Sequence, residues 1–196
     1  MSEIRIYVEG GGDDKTGKLA IREGFSRFFG HRQVRVIPCG SRDQARDAFR
    51  FALKSHPEAL NLLLVDSEER VSTTPWEHLL VRDRWERPSG ASDEHCHLMV
   101  QTVESWLVAD PDTLAAFYGQ GFRRKSLPAH TDIEAVSKAD VMKALDHATA
   151  PTQKGKYKKI AHCSALLARI DPERVRRRAR HCDRLFRVLD DLSSPA

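Results

Sequence analysis

Hydrophobic positions in the first third of the chain form short runs that are separated by stretches with helical spacing. Ile4, Ile6 and Val8 recur at every second position, which predicts a strand that ends at a glycine-rich loop. Helical spacing follows this loop, and further strands are predicted over 33–38 and 60–65, with a second helix between them. Strands that alternate with helices through short connections are typical of a parallel sheet with right-handed crossovers. This region therefore predicts a Rossmann-like α/β fold, a mostly parallel sheet flanked by helices.

The rest of the chain has a mostly helical pattern. A fourth strand is predicted over 95–101, and two short helices follow it before a loop over 119–131. The remaining helices are predicted over 132–147, 157–170 and 172–192. We expect an α/β core over 1–118 and a basic, helical extension over 119–196 that packs on this core.

The composition is that of a globular protein, because 40% of the 196 residues are hydrophobic and 31% are charged. No apolar run approaches the ~18 residues that a membrane-spanning helix needs, and the N-terminus lacks the basic and apolar regions of a secretory signal. The four cysteines are scattered without C-x-x-C spacing, which favours free thiols in a reducing compartment. These features predict a cytoplasmic protein that does not interact with membranes.

Basic residues are concentrated near the C-terminus, although the net charge of the chain is only +4. Residues 151–187 carry four Lys and eight Arg against three acidic side chains, which predicts a surface that binds a polyanion. Lysines bind phosphates as point charges, aromatic rings stack on bases, and arginines contact phosphates without sequence preference. Ordinary solvated helix faces are the alternative. The candidate nucleic-acid-binding residues are Lys154, Lys156, Tyr157, Lys158, Arg176 and Arg177.

Carboxylates follow two of the predicted strands at the point where each strand ends. Glu9 follows the first strand, and Asp66 and Glu68 follow the third. Because neighbouring parallel strands end at the same edge of a sheet, where such sheets bind ligands, these three side chains are expected to meet. They are candidate catalytic residues and ligands for Mg²⁺ or Mn²⁺, which favour oxygen donors and act on phosphodiesters. Glu104, at the start of a later helix, is a further candidate ligand, and helix capping is the alternative role for such carboxylates.

Three other kinds of site do not match the sequence. Gly10, Gly11, Gly12 and Gly17 reproduce neither the G-x-G-x-x-G pattern of dinucleotide-binding folds nor a P-loop. The histidines and cysteines lack the spacing of structural zinc sites. A serine hydrolase of the nucleophile-elbow type would need a G-x-S-x-G turn, which is absent from the sequence.

Two motifs resemble the Toprim pattern of topoisomerases, primases and overcoming-lysogenization-defect nucleases. They are Val8-Glu9-Gly10-Gly11-Gly12-Asp13 and Leu64-Val65-Asp66-Ser67-Glu68, a glutamate after the first strand and an acidic pair after the third. The chain as a whole more closely resembles DUF4276, a family of uncharacterised bacterial proteins that is placed with the Toprim-like folds. Further matching stretches are Gly40-Ser41-Arg42, Glu104-Ser105-Trp106, Lys154-Gly155-Lys156-Tyr157 and Cys182-Asp183-Arg184-Leu185-Phe186.

The resemblance implies a Toprim-like fold and a metal-dependent nuclease or phosphodiesterase in bacterial defence or DNA maintenance. By this resemblance Glu9 would act in proton transfer or metal binding, and Asp66 and Glu68 would bind Mg²⁺. Glu68 stands where many Toprim proteins have Asp. The resemblance further implies an ABC-type or AAA ATPase partner, and it is compatible with a homo-oligomer. The alternative is a non-catalytic module that binds an ATPase or nucleic acid.

Overall fold

A computed structural model describes residues 3–193, with the side chains of residues 3–191. Residues 1–2 of the predicted segment 1–118 and residues 194–196 of the predicted segment 119–196 lie outside the described residues. Four strands, all parallel, form one sheet in the order β2-β1-β3-β4. This arrangement confirms the predicted α/β fold with a parallel sheet. The strands are β1 (Ile4–Val8), β2 (Val34–Pro38), β3 (Leu60–Asp66) and β4 (Cys96–Met99).

Nine α-helices lie within the described residues and cover both faces of the sheet. Those of the first half are α1 (Lys15–Phe29), α2 (Arg42–Ser55), α3 (Pro75–Asp83), α4 (Val103–Val108) and α5 (Pro111–Tyr118). Those of the second half are α6 (Lys138–Thr149), α7 (Lys159–Leu167), α8 (Pro172–Arg178) and α9 (Arg180–Ser193).

Alternate residues of the two central strands face two separate hydrophobic cores, because successive side chains of a strand point to opposite faces of the sheet. Ile6 of β1 and Leu64 of β3 face the larger core, whereas Tyr7 and Leu63 face the smaller one. The near-continuous apolar run of β3 is therefore buried on both faces, which is typical of a central parallel strand. The larger core contains side chains from α1, α4 and the C-terminal helices, among them Phe28, Trp106, Val175 and Phe186. The C-terminal helices thus share a core with the sheet.

The register of the sheet brings three strand ends to one edge. Val8, the last residue of β1, pairs with Leu64 of β3, and Asp66 pairs with Met99 of β4. The backbone N–H of Glu9 donates to the carbonyl of Leu64 at 3.4 Å, so the residue after β1 lies beside the end of β3. This edge carries the candidate site.

The single helix predicted over 172–192 is wrong at one point, because the chain is extended at Ala179 (φ −132°, ψ 96°) and divides α8 from α9. The guanidinium of Arg178 donates to four backbone carbonyls in two other segments, Val108 and Ala109 in one and Pro128 and His130 in the other. The N–H of His181, in the first turn of α9, donates to Glu134 at 2.8 Å. These tertiary contacts on both sides of Ala179 hold the break in place.

The four cysteines are buried, free thiols. Burial raises the pKa of Cys39 to about 11 and that of Cys163 to about 12, so both thiols stay protonated at neutral pH. No helix within residues 3–193 has both the length and the apolar character that crossing a membrane requires.

Candidate functional site

The loop after β1 depends on glycine. Gly10, Gly11 and Gly12 have φ angles of 120°, 85° and 60°, a region that other L-residues rarely adopt. A Cβ atom on Gly11 would lie 2.8 Å from the Cα atom of Lys18, so the loop can lie this close to α1 only without side chains. The carboxylate of Asp14 then caps α1 by accepting the N–H of Gly17 at 2.8 Å. The loop therefore turns the chain sharply and leaves Glu9 at the sheet edge.

Three carboxylates meet at this edge. One oxygen each from Glu9, Asp66 and Glu68 lie within 4.8 Å of one another, and this is the one group of potential metal ligands found within residues 3–193. Asp66 is 1% exposed, whereas Glu9 and Glu68 are half-buried. The structure thus brings together the three residues that the strand ends singled out.

Glu68 reaches this group by a route that strand geometry did not predict. The strand β3 ends at Asp66, and Glu68 takes a left-handed conformation with φ 65°. Its N–H donates to the carbonyl of Gln101 at 2.8 Å, while the N–H of Ser67 donates to Met99 at 3.0 Å. The chain after β4 therefore holds Glu68 in a conformation that is costly for a residue with a side chain.

Asp66 is fixed by the first residues of α4 and by a lysine. Its Oδ1 accepts the N–H of Val103 at 2.7 Å, and the hydroxyl oxygen of Thr102 lies 3.2 Å from its Oδ2. The ammonium of Lys159 lies 3.3 Å from the same Oδ2. A helix N-terminus and a cation thus stabilise a carboxylate that is almost completely removed from water.

Glu104 lies behind Asp66 rather than within the three-carboxylate group. It is 1% exposed, and its oxygens accept the hydroxyls of Thr102 at 2.5 Å and Tyr157 at 2.9 Å. Lys159 lies 3.6 Å from Oε2 of Glu104 and so contacts both buried carboxylates. In this structure Glu104 supports Asp66 through Thr102 and Lys159, and it is not positioned as a direct ligand with the other three.

Sequence reasoning did not assign three basic residues to the site. Arg42 donates to the backbone carbonyl of Asp66, and the ammonium of Lys138 lies 2.5 Å from Oε2 of Glu68. Arg42, Lys138 and Lys159 are each the first residue of a helix. A cation at that position is unfavourable next to the helix dipole. Basic residues that open predicted helices are therefore a sequence signal that could have pointed to nearby carboxylates.

The protonation states follow from burial and from these neighbours. Burial and the charge of Asp66 raise the pKa of Glu9 to about 8, although Arg42 and Lys159 oppose the shift. Burial also raises the pKa of Asp66. Burial alone would raise the pKa of Glu68, but the hydrogen bond and charge of Lys138 lower it below its ordinary value. Glu68 is therefore the member of the group that ionises most readily, whereas burial favours the protonated form of both Glu9 and Asp66.

A cavity of about 260 Å³ opens beside the carboxylates, and we call it the apolar cleft. Glu9, Asp66 and Lys159 line one end of the cleft, and the backbone of the glycine loop forms part of one wall. The helices α1 and α7 supply most of the remaining lining, which is mainly apolar and includes Ile21, Phe25, Met99, Val103 and Leu167.

Four of the six predicted nucleic-acid-binding residues, Lys154, Lys156, Lys158 and Arg177, are exposed. The ammonium of Lys154 lies 5.3 Å from the centre of the Phe117 ring, and that of Lys156 lies 3.5 Å from a carboxylate oxygen of Asp146. The three lysines lie in the segment that leads into α7 and hence to Lys159.

The side chains of the other two predicted contacts, Tyr157 and Arg176, are bonded to carboxylates of the chain itself. Tyr157 is 6% exposed, and its hydroxyl is bonded to Glu104, so its ring is not free to stack on a base. The guanidinium of Arg176 bonds to carboxylates of neighbouring turns, and it lies 5.2 Å from the centre of the Phe186 ring. These carboxylates belong to Glu173, Asp183 and Asp190.

Comparison with known proteins supports a family assignment. Among curated proteins and among solved structures, none matches the chain at a significant level. A family model described as a domain of unknown function (DUF4276) matches residues 8–190. This span covers nearly the whole chain, including the sheet edge with its three carboxylates, and it confirms the family that the motifs resembled. The chain belongs to the DUF4276 family.

Proposed function

We propose that this protein is a metal-dependent phosphodiesterase that cleaves nucleic acid at the three-carboxylate group. The main support is the approach of Glu9, Asp66 and Glu68, whose oxygens lie within 4.8 Å of one another. Carboxylates this close repel one another unless they are protonated or bind a cation. Burial, together with this repulsion, raises the pKa of Glu9 to about 8. A divalent cation would remove the repulsion without a proton.

The residues present fit Mg²⁺ or Mn²⁺. Both are hard cations that take carboxylate oxygens, and a Mg²⁺ site often combines one or two carboxylates with water and phosphate oxygens. Glu9, Asp66 and Glu68 would hold the metal, and the half-exposed Glu68 leaves the group open to solvent and substrate. When bound, the metal would neutralise a phosphate and stabilise the attacking and leaving oxygens of the phosphodiester.

The chain supplies the remaining functions. Asp66 is held in one orientation by Val103 and Thr102, so it would fix the position of the site. Where Asp66 and Glu68 alone hold the metal, Glu9 lies close enough to accept or donate a proton instead. The ammonium of Lys159 lies next to Asp66 and is half-exposed, so it could also contact a phosphate oxygen. Lys154 and Lys158, exposed before α7, would bind the backbone of the nucleic acid without sequence preference.

The relationship to the Toprim domains is part of this proposal. The parallel sheet and the positions of Glu9, Asp66 and Glu68 after β1 and β3 are compatible with that pattern. By analogy we propose an ABC-type or AAA ATPase partner, a role in bacterial defence or DNA maintenance, and a cytoplasmic location that suits four free thiols. A homo-oligomer is compatible with this role.

Cleavage assays with labelled DNA and RNA, single- and double-stranded, test the proposal in Mg²⁺, in Mn²⁺ and in a chelator. We expect cleavage that needs the metal and that is lost in Glu9→Gln and Asp66→Asn. Glu69→Gln is the matched control, because Glu69 is the exposed neighbour of Glu68, and it should cleave like the wild type. Metal binding measured by calorimetry on the same proteins gives a second readout that does not depend on the correct substrate. Cleavage that is equal in the wild type and in folded Asp66→Asn would contradict the proposal.

One observation favours the alternative of a non-catalytic module. Lys138 pairs with Glu68 at 2.5 Å and Lys159 pairs with Asp66 at 3.3 Å, so cations of the chain already balance part of the acidic charge. A protein that uses the cluster only for its own structure would need no metal. In that case calorimetry should detect no Mg²⁺ or Mn²⁺ binding, and binding to an ATPase or to nucleic acid should survive Asp66→Asn in the folded protein.

A further inference from the structure

We infer that the apolar cleft receives a nucleobase, so that the proposed substrate is nucleic acid with an unpaired nucleotide at the site of cleavage. This inference rests on the proposed function for the phosphodiester, but it assigns a separate contact to the base. The cleft adjoins the three-carboxylate group directly, since Glu9 and Asp66 belong to this group and also line the cleft. A nucleotide whose phosphate lies at the carboxylates has its base within reach of the cleft.

The chemistry of the lining selects a base over a sugar or a phosphate. Beyond the end formed by Glu9, Asp66 and Lys159, apolar side chains such as Phe25 and Leu167 make up most of the lining. A base is neutral and presents flat apolar faces, so it can be buried there, whereas a second phosphate would lose its hydration without a partner. Ligand sites typically combine such an apolar lining with a few polar groups at one end.

The walls suit a flat ligand. One wall includes the backbone of Gly10 to Gly12, which offers peptide planes without side chains. A Cβ atom on Gly10 would lie 3.4 Å from Cδ1 of Ile21, which also lines the cleft, so a side chain there would narrow the space. The lining also includes Ile160 of α7, which is 97% exposed although its side chain is large and apolar. A base in the cleft would cover part of this side chain.

The size of the cleft limits the occupant to one base or nucleoside. Its volume of about 260 Å³ lies just below the ~300–1,000 Å³ of pockets for drug-sized ligands, which suits an occupant about as large as one nucleoside. A base inside a duplex is stacked and paired, and it would have to leave the helix to enter. Extruding a base costs a few kcal/mol in a duplex and least in a single strand. The cleft therefore favours single-stranded nucleic acid over duplex.

Nucleoside binding tests the inference directly, because nucleosides have no phosphate and need no metal. Adenosine and cytidine should bind the full chain saturably in a chelator, as measured by NMR shifts of backbone amides lining the cleft. Ala20→Phe fills the cleft from α1 and should weaken this binding at least about fivefold, the loss of one stacked base. Ala165→Phe is the matched control, since Ala165 is also half-buried but lies outside the cleft, and it should bind like the wild type.

A second variant covers the case in which Ala20→Phe does not fold. Ile21→Ala widens the cleft, removes a contact with the base and should also weaken nucleoside binding. Nucleosides that fail to bind the folded wild type, or that bind both folded cleft variants as tightly as the wild type, would overturn the inference. A second copy of this chain would then be the occupant to test, by a dimer that dissociates in Ile160→Ser.

The failure of this inference can be distinguished from the failure of the proposed function. The test uses a set of single-stranded oligonucleotides, each with one abasic site at a different position. Cleavage that is blocked at one position by the missing base, and otherwise retained, supports the cleft as a base site. Cleavage that is lost in Asp66→Asn but unaffected by abasic sites and by Ala20→Phe refutes the base site and leaves the phosphodiesterase intact. Nucleoside binding without any cleavage supports the base site and contradicts the proposed phosphodiesterase.

Discussion

The ammonium group of Lys159 lies 3.3 Å from Oδ2 of Asp66, so a half-exposed cation neutralises a carboxylate that is 1% exposed. The same ammonium lies 3.6 Å from Oε2 of Glu104, which is equally buried. Burial would lower the pKa of Lys159, but the two carboxylates raise it above its ordinary value, so this lysine stays charged. One side chain therefore offsets much of the cost of keeping two carboxylates away from water.

Removing this cation should destabilise the protein. We expect Lys159→Met to lower the free energy of unfolding by about 1–2 kcal/mol, less than for a fully buried pair because the lysine is half-exposed. Denaturant unfolding in a chelator measures the loss, and Lys158→Met, at an exposed neighbour, is the control. Under the proposed function, Mg²⁺ should restore more stability to Lys159→Met than to the wild type, because the metal replaces a lost positive charge. Equal stability of the two variants would show that Lys159 contributes little.

Tyr157 should contribute to stability and not to nucleic-acid binding. Its hydroxyl donates to Glu104 at 2.9 Å in a buried setting, so Tyr157→Phe leaves a carboxylate oxygen without this donor. We expect a loss of about 1–3 kcal/mol in the free energy of unfolding, the cost of an unsatisfied buried polar group. Affinity for single-stranded oligonucleotides, measured by fluorescence anisotropy, should be unchanged. Oligonucleotide binding that is kept in Tyr157→Trp but weakened in Tyr157→Leu, without a change in stability, would instead support stacking on a base.

The fold and the acidic group could be predicted because both depend on short-range patterns. Alternation in β1 and the continuous run in β3 define two parallel strands, and parallel strands must end at one sheet edge. Glu9 and Asp66 follow directly from this topology. Glu68 lies beside Glu9 and Asp66 for another reason. Contacts with the chain after β4 hold Glu68 in a left-handed conformation.

The rest of the site depends on contacts between distant segments, which a local pattern does not contain. Lys138 reaches Glu68 across 70 positions and Lys159 reaches Asp66 across 93. The lysines around Tyr157 suggested a surface residue, but its burial depends on how the chain packs against α4. The break at Ala179 likewise depends on partners that lie in other segments.

His97 should make the protein sensitive to acid. Its ring is 1% exposed, Nε2 bonds to the carbonyl of Glu94, and Nδ1 faces the guanidinium of Arg184 at 3.3 Å. Burial, with the charge of Arg184, lowers the pKa of His97 to about 3. The folded value lies below the unfolded value of ~6.5, so the neutral ring stabilises the fold above about pH 6.5, and this contribution is lost as the pH falls towards 3.

Thermal unfolding of the wild type and of His97→Gln between about pH 7 and pH 5 measures this effect. At about pH 5 the wild type should have lost about 2 kcal/mol relative to its stability at neutral pH from this residue alone. The variant should be less stable at pH 7, because it lacks the packed ring, but it should lose less on acidification. His56→Gln, at an exposed histidine, is the control. Parallel pH curves for all three proteins would contradict the assignment.

Glu9 should give the opposite dependence on pH. Its folded pKa of about 8 lies above the ordinary carboxyl value of 4.5, so the folded state holds a proton that the unfolded state releases. The contribution of Glu9 to stability is therefore fully present below about pH 4.5 and is lost as the pH rises through about 8. Glu9→Gln keeps a neutral side chain at every pH, so it should be more stable than the wild type by about 2–4 kcal/mol above about pH 8 and similar to it in acid.

Denaturant unfolding in a chelator measures this difference, with Glu69→Gln as the control. Under the proposed function, Mg²⁺ should stabilise the wild type at high pH and have less effect on Glu9→Gln, because the metal takes the place of the proton. A wild type that gains stability relative to Glu9→Gln as the pH rises would show that Glu9 is ionised throughout this range.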